Sequence, residues 1–311
     1  MRRGTWAAAL PDAMSPPKMH TDEVEVDDFR VRSLINEQFP RWAHLPLRRL
    51  LSTGTDNAIF RLGADLGVRL PRIHWAVDQI GKEHEWLPRL APHLPAAVPA
   101  PLGLGAPGHG YPYPWLVYQW LDGEDALVGR VGDWCELAAD VASFVVALQQ
   151  VDTAGGPTPG ARGGSLVRQD ESTRRAIAAL AGEIDVAAAT AVWNEALAAS
   201  PWSGEPVWVH GDLLPGNLVV VEGRLTGVID WSPAGVGDPA CDAMLAWALP
   251  ADARAVYRAA LEIDDATWAR GRGWALQQAV TFIPYYRHTI PSAVAAARRR
   301  LDAVLAEAPE S

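Results

Sequence analysis

The sequence predicts an α+β protein of two lobes, an antiparallel sheet with two helices in the first third and a mainly helical remainder. Three observations predict it. Residues 47–73 break into short apolar runs separated by turn residues (LRRLLS, TGTDN, AIFRLG, ADLG, VRLPR), the pattern of a β-meander. Residues 133–151, 171–199 and 240–308 carry apolar residues at helical spacing, and the first two are rich in Ala. One short hairpin, residues 207–229, interrupts the helices. Strands followed by helices argue for segregated layers and against an alternating parallel sheet.

Each element has its own signal. Residues 1–25 read as a flexible extension, because Pro11 and Asp12 cut the early apolar run short of a secretory core. Residues 26–121 form the first lobe. Val31, Leu34 and Ile35 place a helix over 27–39, closed by Pro40. After the meander, Ile80, Trp86, Leu87 and Leu90 mark a helix over 77–90. A Pro/Gly-rich loop runs from Pro99 to Pro114, and WLVYQWL, 115–121, is a buried strand ended by Asp122-Gly123. Residues 122–311 form the second lobe.

At 311 residues, 49% hydrophobic and 21% charged, the chain has ample apolar content for a sizeable core. The net charge of −10 is uneven: residues 1–121 carry 13 Lys and Arg against 12 Asp and Glu, residues 122–311 carry 14 against 25. Nucleic acid is thereby excluded as the expected partner, and the acidic second part favours a cationic ligand. Two cysteines, Cys135 and Cys241, support neither a zinc site nor a disulfide framework. No apolar run approaches membrane-spanning length. A cytoplasmic protein, monomer or homodimer, is expected.

The hairpin carries the chemistry. In VWVHGDLLPGNLVV, residues 207–220, a His, an Asp and an Asn sit between two valine runs. LVVV, 218–221, is the outgoing strand, Glu222-Gly223 the turn and RLTGVI, 224–229, the return. Asn217 precedes the outgoing strand and Asp230 follows the return, so the two lie side by side at the hairpin's open end. Their oxygens suit Mg²⁺, which takes one or two protein groups and fills its other positions with water and phosphate. Asp212, five residues before Asn217, can approach the same point and accept the proton of an attacking hydroxyl.

His210-Gly211-Asp212 with Asn217, followed by Ile229-Asp230-Trp231, resembles the HGD-x-x-x-x-N and IDW motifs of the aminoglycoside phosphotransferase family, relatives of the protein kinases. The match extends over about residues 45–250. The resemblance implies a two-lobed, protein-kinase-like fold, with ATP or GTP as phosphoryl donor and Mg²⁺ as cofactor. It makes Asp212 the catalytic base and Asn217 and Asp230 the metal ligands. It implies that His210 orders the catalytic loop and that Asp242, after Gly237-Asp238-Pro239, braces it. In the first lobe, Ser52, Thr53, Gly54 and Asn57 of the turn 52–57 would cover phosphate oxygens with backbone N–H groups and hydroxyls. Arg69 occupies the position of the phosphate-pairing cation, where Lys is usual, with Glu83 as its partner; Lys82 is out of register with it. Gln119, Trp120 and Leu121 would meet the purine.

The implied reaction moves a γ-phosphoryl group to a hydroxyl of a small molecule. Only eleven residues separate Asp230 from Asp242, too short a segment to dock a protein substrate. An aminoglycoside-type antibiotic is the expected acceptor, with Trp231, Trp274, Gln278 and Tyr285 as candidate contacts. A metabolic kinase for choline, an amino alcohol or a sugar, and a catalytically silent nucleotide binder, stand as alternatives.

Overall fold

Asp27 starts helix α1 (Asp28–Gln38) by accepting the Arg30 N–H at 2.7 Å, the cap an Asp supplies before an amphipathic run. The helix buries Val31, Leu34 and Ile35 in one apolar cluster with Phe60, Leu62, Val68, Leu70 and Trp115. This computed structural model describes residues 8–9, 23–51, 56–160, 162–287 and 290–307.

The cluster lies on a six-stranded antiparallel sheet made of β1 (Ala8–Ala9), β2 (Leu47–Leu51), β3 (Asn57–Leu62), β4 (Leu66–Pro71), β5 (Pro101–Gly105) and β6 (Trp115–Gln119), in the order β1-β2-β3-β4-β6-β5. The meander folds as expected, and β4, flanked on both sides, is buried along its whole length. That is why a charged residue on it, Arg69, must find a partner. The stretch 99–114 is not all loop, because β5 pairs with β6 as an edge strand. Pro101 is its first residue and the register shifts between Pro101 and Gly103, the places where an edge tolerates Pro and Gly. Helix α2 (Val77–Leu90) follows the sheet's third hairpin arm and buries Ile80, Glu83, Trp86, Leu87 and Leu90.

The rest is largely helical. After the two-residue strand β7 (Glu124–Asp125) come α3 (Trp134–Gln149), α4 (Asp170–Ala179) and α5 (Val186–Ala198). The predicted helical stretch 171–199 breaks between α4 and α5, where Gly182 has φ +86° and Asp185 caps the new helix by accepting the Ala188 N–H. Strands β8 (Val207–Val209), β9 (Leu218–Val221), β10 (Arg224–Val228) and β11 (Gly235–Gly237) then precede α6 (Ala240–Ala243), α7 (Ala251–Ala260), α8 (Asp265–Tyr286) and α9 (Pro291–Ala306). β8 pairs with β11, and β9 lies between β10 and β7. Glu222 and Gly223, both at positive φ, form the tight turn joining β9 to β10. Helix α8 is the central pillar, packed by α5, α6 and α9.

The chain divides into two compact units. Met1–Pro92, Ala96–Glu124 and Gly227–Ser232 make one; His93–Pro95, Asp125–Thr226 and Pro233–Ser311 make the other. The first is therefore not one stretch of sequence: the end of β10 carries the chain back into it for six residues.

Candidate active site

In the C-terminal unit, β8 ends at Val209, just before His210, and the chain turns at Gly211, whose φ is +79°. A Cβ there would lie 3.0 Å from the Pro233 Cβ and 3.1 Å from its carbonyl oxygen, so both conformation and space call for glycine. The turn is held from α6. The Asp242 carboxylate accepts the His210 N–H at 2.7 Å and the Gly211 N–H at 2.8 Å. Burial pushes the Asp242 pKa up, against the attraction of His210 and these two N–H bonds. The fold thus buries a carboxylate to satisfy two backbone donors that no strand could reach.

Asp212 follows. Its N–H donates to His210 Nδ1 at 3.3 Å, and its carbonyl oxygen accepts from Asn217 Nδ2 at 2.8 Å. The same Nδ2 lies 3.4 Å from Asp212 Oδ2. The 3₁₀ turn Pro215–Asn217 folds the amide back onto the loop. His210, Asp212, Asn217 and Asp242 are therefore brought together. Sequence reasoning missed a fifth member, Arg162. Its Nε donates to the Gly211 carbonyl at 2.7 Å and its Nη2 pairs with Asp212 Oδ1 at 2.8 Å. A lone Arg in the Gly/Pro loop TAGGPTPGARGG has no periodicity to betray it.

In the N-terminal unit, Arg69 Nη1 meets both Glu83 oxygens, at 2.7 and 2.8 Å, and the pair is buried. Arg69 Nη2 donates to Gln79 Oε1 at 3.2 Å and to Ser232 Oγ at 2.6 Å. Ser232 passes the link on by donating to Asp230 Oδ1 at 2.8 Å. Burial works against the Arg69 charge, but Glu83 and then Asp230 outweigh it and hold its pKa above the ordinary value. Lys82, out of register with Arg69 in sequence, reaches the same spot from α2, its Nζ donating to the Ser232 carbonyl. Burial lowers its pKa most, opposed by Glu83. Asp230 has φ +61°, a conformation Asp tolerates better than most residues and one that often marks a functional position.

Asn217 and Asp230 carry the candidate donor oxygens for a divalent cation. Asn217 directs its Nδ2 to Asp212, leaving Oδ1 as the lone-pair atom; Asp230 Oδ1 accepts from Ser232, leaving Oδ2. Each is a hard oxygen of the kind Mg²⁺ takes. Among the described residues no group of three His, Cys, Asp or Glu is placed to hold a metal.

The remaining candidates fall as follows. Ser52, Thr53 and Gly54 lie outside the described residues. Asn57 opens β3 opposite Pro71. The backbone N–H groups of Gln119 and Trp120 already donate, to the carbonyls of Ala100 and Asp65, and Leu121 is half-buried. The Trp120 ring stacks under Arg61, 4.2 Å from its guanidinium carbon. Trp231 is buried and donates to the Val228 carbonyl at 2.9 Å. Trp274 and Gln278 are buried on α8, one turn apart, whereas Tyr285 is exposed.

The antiparallel sheet followed by helices, with an HGD-x-x-x-x-N loop braced by a buried Asp, defines a kinase-like phosphotransferase fold. The family model described as "Phosphotransferase enzyme family" matches residues 48–274, and the chain belongs to that family. The fold is similar to that of wild-type aminoglycoside 2'-phosphotransferase-IIIa in its GDP complex (TM-score 0.70, 18% identity, 90% of this chain and 99% of that one). It is also similar to macrolide 2'-phosphotransferase MphH from Brachybacterium faecium (TM-score 0.51, 27% identity, 85% and 93%). The uncharacterized protein YcbJ of Bacillus subtilis (strain 168) is 44% identical over 45 residues, 14% of this chain and 15% of that protein. Among the described residues no helix is long and apolar enough to cross a membrane.

Proposed function

We propose that the protein is a nucleoside-triphosphate-dependent O-phosphotransferase acting in the cytoplasm on the hydroxyl of a small molecule. The observation that carries the reading is the loop 210–217, in which Asp212 is fixed through its N–H, its carbonyl and its carboxylate at once. A carboxylate fixed in this way is placed to accept the acceptor's hydroxyl proton as the oxygen bonds to the γ-phosphorus and the bond to the β-phosphate oxygen breaks. General-base help of this kind contributes about 10²- to 10⁴-fold in rate.

Arg69, backed by Glu83, pairs with donor phosphates; Ser52, Thr53, Gly54 and Asn57 cover them; the segment Gln119 to Leu121 contacts the purine of ATP or GTP. Asn217 and Asp230 would hold Mg²⁺, which supplies neutralisation of phosphate charge. His210, Asp242 and Arg162 keep Asp212 in place. Relatives named for aminoglycosides and macrolides make an antibiotic hydroxyl the first acceptor to test, with Trp231, Trp274, Gln278 and Tyr285 as contacts. The acidic balance of residues 122–311 supports an aminoglycoside-type cation. A metabolic alcohol is the second reading, and one observation favours it: the charge beside Asp212 is an arginine.

The test is mass spectrometry of aminoglycosides, macrolides, choline and sugars incubated with the protein, Mg²⁺ and ATP or GTP. A phosphoryl mass gain on one acceptor, reduced about 10²- to 10⁴-fold in Asp212→Ala while nucleotide binding survives, is expected. Full turnover in that variant sinks the assignment.

A further inference from the structure

Among the described residues five arginines are buried: Arg69, Arg72, Arg270, Arg272 and Arg300. Four of them have a carboxylate. Arg69 pairs with Glu83 at 2.7 Å, Arg72 with Glu23, Arg270 with Asp238 at 2.8 Å and Arg272 with Glu195 at 3.5 Å. Arg300, on α9, is as buried as the others at 5% exposure, but its side-chain partner is the neutral amide oxygen of Gln278 on α8. Its Nε has no hydrogen-bond partner. A guanidinium cannot shed its charge by losing a proton, so an uncompensated one inside a protein is costly. Burial pushes the Arg300 pKa down to about 10; Asp212 opposes that shift and Arg162 adds to it, so Arg300 sits within electrostatic reach of the proposed base.

Further orphaned polar atoms lie on α8, the helix that carries Gln278. On α8, Trp274, Gln277 and Gln278 are three and four residues apart and fall on one face. Trp274 Nε1, a buried donor, has no partner, and neither does Gln277 Oε1. Two unpaired donors, one of them cationic, and one unpaired acceptor are a complement for an oxyanion that also carries a hydroxyl. The other buried arginines show that this fold places a carboxylate on a buried guanidinium as a rule. The exception marks where the anion comes from outside.

We infer that Arg300, with Trp274 and Gln277, is the binding site for an anionic group of the acceptor, which selects the second acceptor reading over the first: the substrate is a hydroxylated carboxylate or phosphate and not a polycation. The inference rests on the phosphotransfer reading for the fate of the hydroxyl, and names the acceptor's class. Arg162 fits the same picture: with its guanidinium on Asp212, a polycation would meet a like charge beside the base.

The experiment compares the full chain with Arg300→Gln and Arg300→Lys in thermal melts, with Mg²⁺ and ADP present so that the donor's phosphate positions are filled. The probes are glycerate, glycerol phosphate and glycerol. Glycerate or glycerol phosphate should raise the melting temperature of the parent chain, and glycerol should not. The larger shift tells carboxylate from phosphate. Arg300→Gln should melt no lower than the parent without anion and should bind it about 10- to 100-fold more weakly, with Arg300→Lys between. A variant that melts several degrees lower, with anions acting alike on both proteins, would make the guanidinium a structural group and overturn the site. A flat response of the parent chain to both anions overturns it as well. The same compounds and kanamycin are then tested as acceptors with ATP and GTP. Turnover of kanamycin or glycerol alone, unchanged in Arg300→Gln, overturns the inference and leaves phosphotransfer standing. Arg300-dependent anion binding without any turnover upholds the site and counts against phosphotransfer.

Discussion

The surroundings of Arg69 in one unit and of the loop 210–217 in the other are built in different ways. Around Arg69 in the N-terminal unit, side chains hold side chains: Glu83, Gln79 and Ser232 surround it, and Ser232 leads on to Asp230. Around the loop 210–217 and the end of α9 in the C-terminal unit, side chains hold backbone. Asp242 takes the N–H groups of His210 and Gly211, Arg162 takes the Gly211 carbonyl, Asn217 takes the carbonyl of Asp212, and Arg272 takes that of Val304. The first arrangement fixes where a charge stands, and the second fixes the path of the chain. A charge can be replaced by another of the same sign; a chain path held by one carboxylate has no substitute.

Breaking the side-chain network should have the larger effect on stability. Glu83→Gln leaves a buried guanidinium uncompensated and is expected to cost about 3–5 kcal/mol in urea unfolding. Arg69→Lys, which keeps the charge and loses the fork, should cost less and weaken nucleotide binding; equal losses in the two variants would refute a purely electrostatic role for the pair. Breaking the backbone anchor comes next. Asp242→Ala strands two buried N–H groups, at about 2–4 kcal/mol, and should lower kcat with little change in nucleotide affinity. If kcat is untouched, the bracing of loop 210–217 has no catalytic meaning. The smallest effect is a helix cap. Asp264 accepts the Thr267 N–H at 2.6 Å at the start of α8, and that bond holds its pKa below the usual carboxylate range. Asp264→Ala should lose about 1 kcal/mol at neutral pH. A depressed carboxylate stabilises the fold above its unfolded pKa and stops doing so as pH falls through its folded one, so the two melting curves should converge in acid. A gap that persists at low pH would mean that the loss is not one of charge.

The sheet was legible because β3 and β4 alternate short apolar runs with turns, and α1 and α2 because Val31, Leu34, Ile35, Ile80 and Leu87 recur at helical period. The edge strand β5 was not, since Pro101, Gly103 and Gly105 read as loop and only pairing with β6 makes them extended. The loop 210–217 could be read from fixed intervals within one short stretch. Arg162, Ser232 and Arg300 could not. Arg162 lies 50 residues before Asp212 and Arg300 lies 22 after Gln278, and no local pattern records which distant arginine will arrive at a given partner. The pairing of Arg69 with Glu83 was legible only because the resemblance named both.

The return of Gly227–Ser232 to the N-terminal unit sets a schedule for synthesis. When Glu124 leaves the ribosome, all six strands of the sheet and Arg69, Glu83 and Lys82 have been made, but Ser232 lies about a hundred residues away. At roughly 5–20 residues per second, the nascent sheet waits on the order of 5–20 s for the hydroxyl that joins Arg69 to Asp230. During that interval the N-terminal unit is a fragment with an unfinished charge network, and a chain stalled before Ser232 would present that network to solvent and to chaperones.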